Sequence, residues 1–185
     1  LTFVIIVSFL AGLIAKFPAL LNINPEHFYQ RKAGFIVLSA LTTYFIWRRN
    51  LRAKKIVFVF IATLISAIFI NVFPENQKSD TLILSCIHLP LFLWTILGFS
   101  YMGENVRDHQ KRIDFLRYNG DLIIMAGLIV IAGGILTAIT IGLFSAIGFQ
   151  IEEFWKDYVV VFGLAALPLV GTLIVQSNPQ LVNKI

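Results

Sequence analysis

The residues best suited to chemistry in this 185-residue sequence are the few polar side chains inside its apolar stretches. His88 is the only histidine or charged residue in the apolar run 81–103. An imidazole titrates near neutral pH and needs a polar partner inside a membrane, so His88 is a candidate proton carrier or ligand. Asn71, near the same outer end of the preceding run, is its expected partner. The alternative is a structural histidine that its own surroundings satisfy.

Two prolines, Pro90 and Pro168, each fall near the middle of an apolar run and are expected to break their helices. Proline has no backbone N–H, so the carbonyls of Cys86 and Leu164, one turn earlier, lose their helical partners. The glycine pair 133–134 is expected at the same depth. Helix breaks at mid-membrane depth are typical of transporter binding sites, where freed carbonyls coordinate ions or substrate. The alternative is a kink that packing absorbs.

Asp121 begins the apolar run that reaches Gln150 without another charge. One interpretation is an acid in the first turn of a helix, where the helix dipole favours a negative charge. The other is a functional acid paired with Arg117. Residues 104–119, just before it, suit a helix lying along the membrane surface or a solvated extension of the preceding span.

Sequence signatures of catalysis are missing. The sequence contains no HExxH, CxxC, Walker A or GxGxxG motif, and no GxSxG surrounds Ser145. Cys86 is the only cysteine, so neither an internal disulfide nor a cysteine-based metal cage is available. We therefore expect no catalytic residues, no metal and no cofactor.

The composition predicts the elements that must hold these residues. Hydrophobic residues make up 58% of the chain, charged residues 14%, and the mean hydropathy is +0.83, which excludes a water-soluble fold. We predict an all-α polytopic transmembrane helix bundle, a single helical membrane domain over residues 1–185, as a portion of a larger membrane protein. The six predicted spans are about 1–15, 28–47, 56–73, 81–103, 121–149 and 158–176.

The apolar run 120–149 carries a stripe of small residues at every fourth position, namely Gly134, Ala138, Gly142 and Ala146. Four-residue spacing places them on one side of a helix, where another backbone can approach closely. About thirty helical residues reach ~45 Å, enough to cross a hydrocarbon core of ~30 Å. We therefore predict a central helix that packs, through this small-residue stripe, against other helices of the full-length protein or within a homo-oligomer.

The net charge of +5 is explained by topology, because the basic residues lie in short loops between the apolar runs. Ten of the 15 lysines and arginines fall in residues 48–55, residues 104–119 and the C-terminal segment. The positive-inside rule places these segments and both termini in the cytoplasm. Lys16, Arg31 and Lys32 are exceptions. The lipid bilayer is the expected partner, and nucleic acid is not.

Three strings resemble an uncharacterised bacterial integral membrane family, domain of unknown function 4153. They are HLPLFLW at 88–94, RIDFLRYNGD at 112–121 and GGILT at 133–137, and the likeness covers roughly residues 82–158. The resemblance implies a larger multi-pass protein of the bacterial inner membrane, without an established activity. In that family the residue matching Asp121 is more often Glu.

Hypotheses from different classes follow from these patterns. The first is a transporter or channel-like protein with a mid-membrane polar site between the fourth, fifth and sixth spans. The residues of its substrate or ion pathway would be His88, Asn71, Pro90, Asp121 and Pro168. The alternative is a non-transporting anchor or assembly module of a larger protein. An intramembrane enzyme ranks last, because no nucleophile has a recognisable base beside it.

Overall fold

The computed structural model describes residues 1–21, 23–73 and 80–177, which form helices and no strand. The helices are α1 (Thr2–Leu21), α2 (Pro25–Arg49), α3 (Ala53–Val72), α4 (Asp80–Met102), α5 (His109–Ala146), α6 (Glu152–Phe154) and α7 (Val161–Ser177), and a π-helical turn at Trp155–Val160 joins the last two. The predicted all-α class is confirmed.

Five helical stretches of the described chain are long and apolar enough to cross a membrane. They are α1, α3, α4, α5 and the continuous stretch Glu152–Ser177. The helix predicted at 28–47 is present as α2 but is not among the five, because the charges of Arg31, Lys32, Arg48 and Arg49 lower its hydropathy.

The start of α2 follows from its sequence. The side chain of Asn24 accepts a hydrogen bond from the N–H of Glu26 at 3.0 Å, and Pro25 takes the first helical position. A side-chain acceptor, a proline that needs no partner and an acid at the positive end all favour a helix start. Asn50 ends the helix in the left-handed conformation, and Leu51 after it is buried.

Contacts divide the chain into two compact units. The middle unit is Pro18–Phe115, and the terminal unit combines Leu1–Phe17 with Leu116–Ile185, described as far as Ser177. The prediction of a single membrane domain stays a prediction.

The core of the middle unit lies where α2 and α3 pack against α4. Arg31, near the start of α2, donates to the carbonyl of Phe73 just after α3, and Arg49, at the end of α2, lies against Gly103 just after α4. Hence α2 runs parallel to α4 over a similar length and antiparallel to α3. Two buried clusters fill the core, Val59 with Leu93 and Ile96, and Ile70 with Leu82 and Leu89.

In the terminal unit, one side of α1 is buried against the stretch 152–177. The ring of Phe162 covers Gly12 so closely that it leaves no room for a Cβ there, and it also contacts the ring of Phe9. The start of the apolar part of α5 touches α7, where Leu122 lies against Gly171. The absence of a side chain at Gly12 therefore allows α1 to approach α7 closely.

Three local predictions are wrong. Helix α4 runs through Pro90 and α7 runs through Pro168 without a break. Contacts with α2 at Pro90 and with α5 beside Pro168 support the two helices at these points. Residues 109–119 neither lie in a separate surface helix nor extend the fourth span; they form the first turns of α5, continuous as far as Ala146.

Candidate functional site

His88 lies on the outside of the middle unit. Its Nδ1 is 2.8 Å from the carbonyl oxygen of Leu84, and its side chain is exposed. The ring borders a shallow, open and mostly apolar groove of about 270 Å³ between α3 and α4, which Phe69 and Phe92 also line. A carbonyl partner implies that Nδ1 carries the proton in the neutral ring and that Nε2 is an acceptor.

Asn71 is not the partner of His88. Its Oδ1 accepts a hydrogen bond from Lys32 Nζ at 2.7 Å, and its Nδ2 donates to the carbonyl of Ala67 at 2.6 Å. The predicted pairing is wrong because the lysine of α2 reaches the end of α3, whereas the histidine is satisfied within its own helix.

The end of α3 is thus held by two cations of α2. Arg31 donates to the Phe73 carbonyl at 3.3 Å, and the next residue, Lys32, binds Asn71. Carbonyls at the C-terminus of a helix carry the negative end of its dipole, so cations there are stabilising. These two basic residues, exceptions to the predicted charge distribution, have a structural task.

Pro90 packs against Gly34 of α2. A Cβ added to Gly34 would lie 3.2 Å from Pro90 Cγ, so only glycine admits the proline ring without adjustment. A cavity of about 10 Å³ remains beside them, lined in part by Cys86 and Gln30. That volume is at the lower limit for a single water molecule. The contact therefore supports the packing interpretation of Pro90.

Asp121 lies within α5 rather than at its start. The helix begins twelve residues earlier, at His109, so the interpretation of a first-turn acid is wrong. Arg117 and Asp121 form no ion pair within the described chain. Asp121 is half-buried and belongs to the terminal unit, as does Pro168, whereas His88, Asn71 and Pro90 belong to the middle unit.

Two hydroxyl groups, those of Thr172 and Tyr118, are linked in series to the carbonyl of Pro168. The hydroxyl of Thr172 donates to the Pro168 carbonyl at 2.7 Å, and the hydroxyl of Tyr118 lies 2.7 Å from Thr172 Oγ1. Because the threonine hydrogen is already used, Tyr118 must be the donor to Thr172. Both side chains are buried, so this pair joins α5 to α7 by a polar contact that sequence analysis missed.

Sequence analysis also missed the role of Lys16. The side chain is 8% exposed, its Nζ donates to the carbonyl of Asp157 at 3.3 Å, and it stands 2.8 Å from the centroid of the Tyr158 ring. Within the described residues no carboxylate pairs with it. The accessible signal was spacing, because Ser8, Gly12 and Lys16 follow one another every four residues.

The residues that hold Lys16 belong to the π-helical turn Trp155–Val160. Trp155 Nε1 in this turn donates to Thr137 Oγ1 of α5 at 3.1 Å. On α1, Ser8 Oγ is buried and has no hydrogen-bond partner in the described part of the chain. π-Helical turns are rare and are frequent at functional sites. A buried cation on such a turn is the most unusual polar arrangement of the terminal unit.

The small-residue stripe faces open space in the described structure. Gly134 and Gly142 have no heavy atom within 4 Å of an added Cβ, and Ala138 and Ala146 are exposed. The apolar window of α5 is 0% buried. The stripe therefore does not pack against the other described helices of the terminal unit, and packing against another polypeptide stays a prediction.

The carboxyl end of α4 has no basic residue in its own last turn, and lysines from two other helices serve it. Lys55 of α3 donates to the carbonyl of Gly103 at 2.7 Å, and Lys111 of α5 donates to that of Met102 at 3.4 Å. Gly103 has φ +66°, which lets the chain turn sharply there.

Glu104 connects this end of α4 to the start of α3. Its carboxylate accepts the N–H of Arg52 at 3.1 Å and lies 3.4 Å from Lys55 Nζ. The backbone hydrogen bond from Arg52, together with the two neighbouring cations, lowers the pKa of Glu104 below its ordinary 4.5.

Comparison of this chain with protein-family models, with curated proteins and with solved structures finds no match. The likeness to domain of unknown function 4153 therefore stays a prediction, and the functional interpretation depends on the contacts described above.

Proposed function

We propose that this chain is an integral membrane module that assembles with a second copy of itself through the small-residue stripe of α5. One observation carries the proposal: α5 contains the most apolar window of the five candidate spans, yet none of that window is buried by the described residues. Glycines on an exposed helix face leave room for a close backbone approach.

A second copy fits the stripe because the stripe is self-complementary. Gly134, Ala138, Gly142 and Ala146 form a shallow strip on one helix, and two such strips can interlock across a two-fold axis. Close van der Waals contact of this kind drives helix association in lipid, where the hydrophobic effect between helices is absent.

The proposed orientation keeps the basic segment 48–55 in the cytoplasm, following the positive-inside rule. Helix α2 supports a sixth crossing, because it runs parallel to α4 over a similar length and α4 is a candidate span. Six crossings put both termini on the cytoplasmic side. The proposed location, the bacterial inner membrane, follows from the family likeness.

Disulfide cross-linking tests the assembly. After Cys86→Ser removes the only cysteine, one variant carries Ala138→Cys on the stripe and a matched one carries Leu136→Cys. Both positions are exposed, and they face opposite sides of the helix because two residues correspond to about 200° of rotation. We expect oxidation in native membranes to give dimers for the first variant only.

A bulky side chain on the stripe gives an independent readout. Gly142→Leu should lower the dimer population about tenfold or more, since overpacking of a close contact costs about 1–3 kcal/mol. Its control, Leu143→Ala, should leave the population unchanged. Equal cross-linking at 136 and 138, no cross-linking at 138, or a dimer population that Gly142→Leu leaves unchanged would rule out assembly through this face.

A carrier or channel is the second candidate, and buried Lys16 favours it. An ionisable side chain inside a candidate span is expensive and commonly marks an ion or substrate pathway. The predicted pathway through His88 gains no such support, because that ring borders an apolar groove. The site proposed for this candidate is therefore the contact of Lys16 with the π-helical turn.

Water access decides between a pathway and a structural lysine. In the cysteine-free chain, Lys16→Cys should react with a charged, membrane-impermeant maleimide if water reaches the site. Ile14→Cys, exposed on the same helix, is the control that should stay unlabelled in lipid. Complete protection of position 16 from both sides of the membrane would exclude a pathway there.

A further inference from the structure

The basic segment 48–55 of the middle unit contains two groups of cations. Arg49 and Lys55 contact the end of α4: the guanidinium of Arg49, an exposed residue, lies 5.1 Å from the centroid of the Tyr101 ring, and Lys55 binds the Gly103 carbonyl with only 20% of its side chain exposed. These two residues are used in holding the end of α4.

The other three cations point outward. The side chain of Arg52 is 83% exposed and reaches Glu104 only at 3.8 Å. Arg48 and Lys54 are exposed and form no hydrogen bond or ion pair within the described chain. Outward charge therefore remains at this surface after the needs of the fold are met.

The net charge around these outward cations is positive. Residues 48–55 carry five cations and no acid, so the single neighbouring carboxylate, that of Glu104, leaves a positive balance. Helix α3 also begins here with basic and no acidic residues in its first turn, so the positive end of its dipole adds to the side-chain charges. An anion at this surface would interact favourably with both the side-chain charges and the positive end of the helix dipole.

The surroundings select an anion attached to an apolar tail. Trp47, 50% exposed, precedes the cations, and exposed Val57 and Phe58 follow them on α3. Tryptophan at this position is typical of a membrane interface, with the apolar side chains beyond it facing acyl chains. A soluble anion would use the cations alone, whereas a lipid would use both surfaces.

We propose that Arg48, Arg52 and Lys54 bind the phosphodiester headgroups of anionic phospholipids. This inference depends on the membrane part of the proposed function and is independent of assembly through α5. Each cation near such a headgroup contributes about a fivefold preference over a zwitterionic lipid.

The test uses the full chain purified in a neutral detergent. Phosphatidylglycerol or phosphatidylcholine is added, and retained lipid is counted by native mass spectrometry together with the thermal unfolding midpoint. We expect phosphatidylglycerol to be retained preferentially and each of R48Q, R52Q and K54Q to reduce that preference about fivefold. The exposed control K156Q should leave it unchanged.

Three outcomes would overturn the proposal: equal retention of both lipids, the same loss in K156Q, or displacement of bound phosphatidylglycerol by millimolar inorganic phosphate. Circular dichroism on each variant separates a binding defect from a folding defect. Cross-linking at position 138 is scored separately, and a chain that is monodisperse without detergent would refute the membrane proposal itself.

Discussion

Helices α4 and α5 are both apolar candidate spans, but they differ in how far other parts of the chain bury their side chains. In α4, Leu93 and Leu97 are buried, and the ring of Phe115 lies against Gly98. In α5 no residue of the apolar window is buried, although it carries the more regular spacing of small residues.

The difference teaches that a small residue is only half of a contact. Gly98 meets Phe115 and Gly34 meets Pro90, so each glycine has a large partner that fills the space it leaves. Gly134 and Gly142 have no such partner in the described chain. Spacing on one helix predicts where a neighbour fits, and the neighbour itself must come from elsewhere.

The largest expected effect tests the contrast between the filled and the open glycine positions directly. Gly98→Leu should reduce the free energy of unfolding by about 3 kcal/mol, because even the first added carbon would lie 2.9 Å from the Phe115 ring, which Trp94 and Tyr101 also contact. The matched change Gly134→Leu should leave the monomer's stability nearly unchanged. Thermal unfolding in detergent compares them, and similar losses would contradict the contrast.

The next effect concerns the hydrogen bond between Tyr118 of α5 and Thr172 of α7. Thr172→Val should cost about 1–3 kcal/mol, because it leaves the buried Tyr118 hydroxyl without its acceptor. Adding Tyr118→Phe should recover most of the loss, since neither polar group then remains. Unfolding of the two single variants and the double variant gives the coupling energy. Additive losses would mean that the hydrogen bond is unimportant.

A smaller effect is expected at the carboxyl end of α4. Lys55→Met should destabilise the chain by about 1 kcal/mol, because the Gly103 carbonyl loses a cationic donor at the negative end of the helix dipole. Lys54→Met, one residue away and exposed, is the control and should have little effect. Amide hydrogen exchange in the last turn of α4 would locate the change, and equal exchange in both variants would refute it.

The smallest effect depends on pH. The pKa of Glu104 is below 4.5, so its stabilising contribution is complete above that value and is lost as the pH falls through the lowered pKa. The unfolding midpoints of the wild type and Glu104→Gln should therefore differ slightly at pH 7 and converge in acid. A difference that grows in acid would contradict the assigned partners. The carboxylate is exposed, so the effect is small.

Much of the fold could be predicted because it depends on local sequence. Apolar runs long enough to cross a membrane place α1, α3, α4 and α5, and the cap formed by Asn24 and Pro25 sets the start of α2. The start of α5 was missed, because a charged segment such as 109–119 suits a surface helix as well as an extension of the following span.

Less of the candidate site could be predicted, because its contacts join residues far apart in the chain. Lys16 and Asp157 are separated by 141 positions, and Lys32 and Asn71 by 39. Periodicity in one helix carries no information about which distant helix lies opposite. Asn71 was assigned to His88 on depth alone, whereas the longer side chain of Lys32 reaches it first.

The two lysines that bind the end of α4 are synthesised at different times relative to that helix. Lys55 precedes Gly103 by 48 positions, whereas Lys111 follows Met102 by nine. During synthesis Lys55 is therefore present when the last turn of α4 is made, whereas Lys111 is added only afterwards. We expect nascent chains released after residue 108 to fray there more than those released after residue 115, a difference that pulsed hydrogen exchange would record.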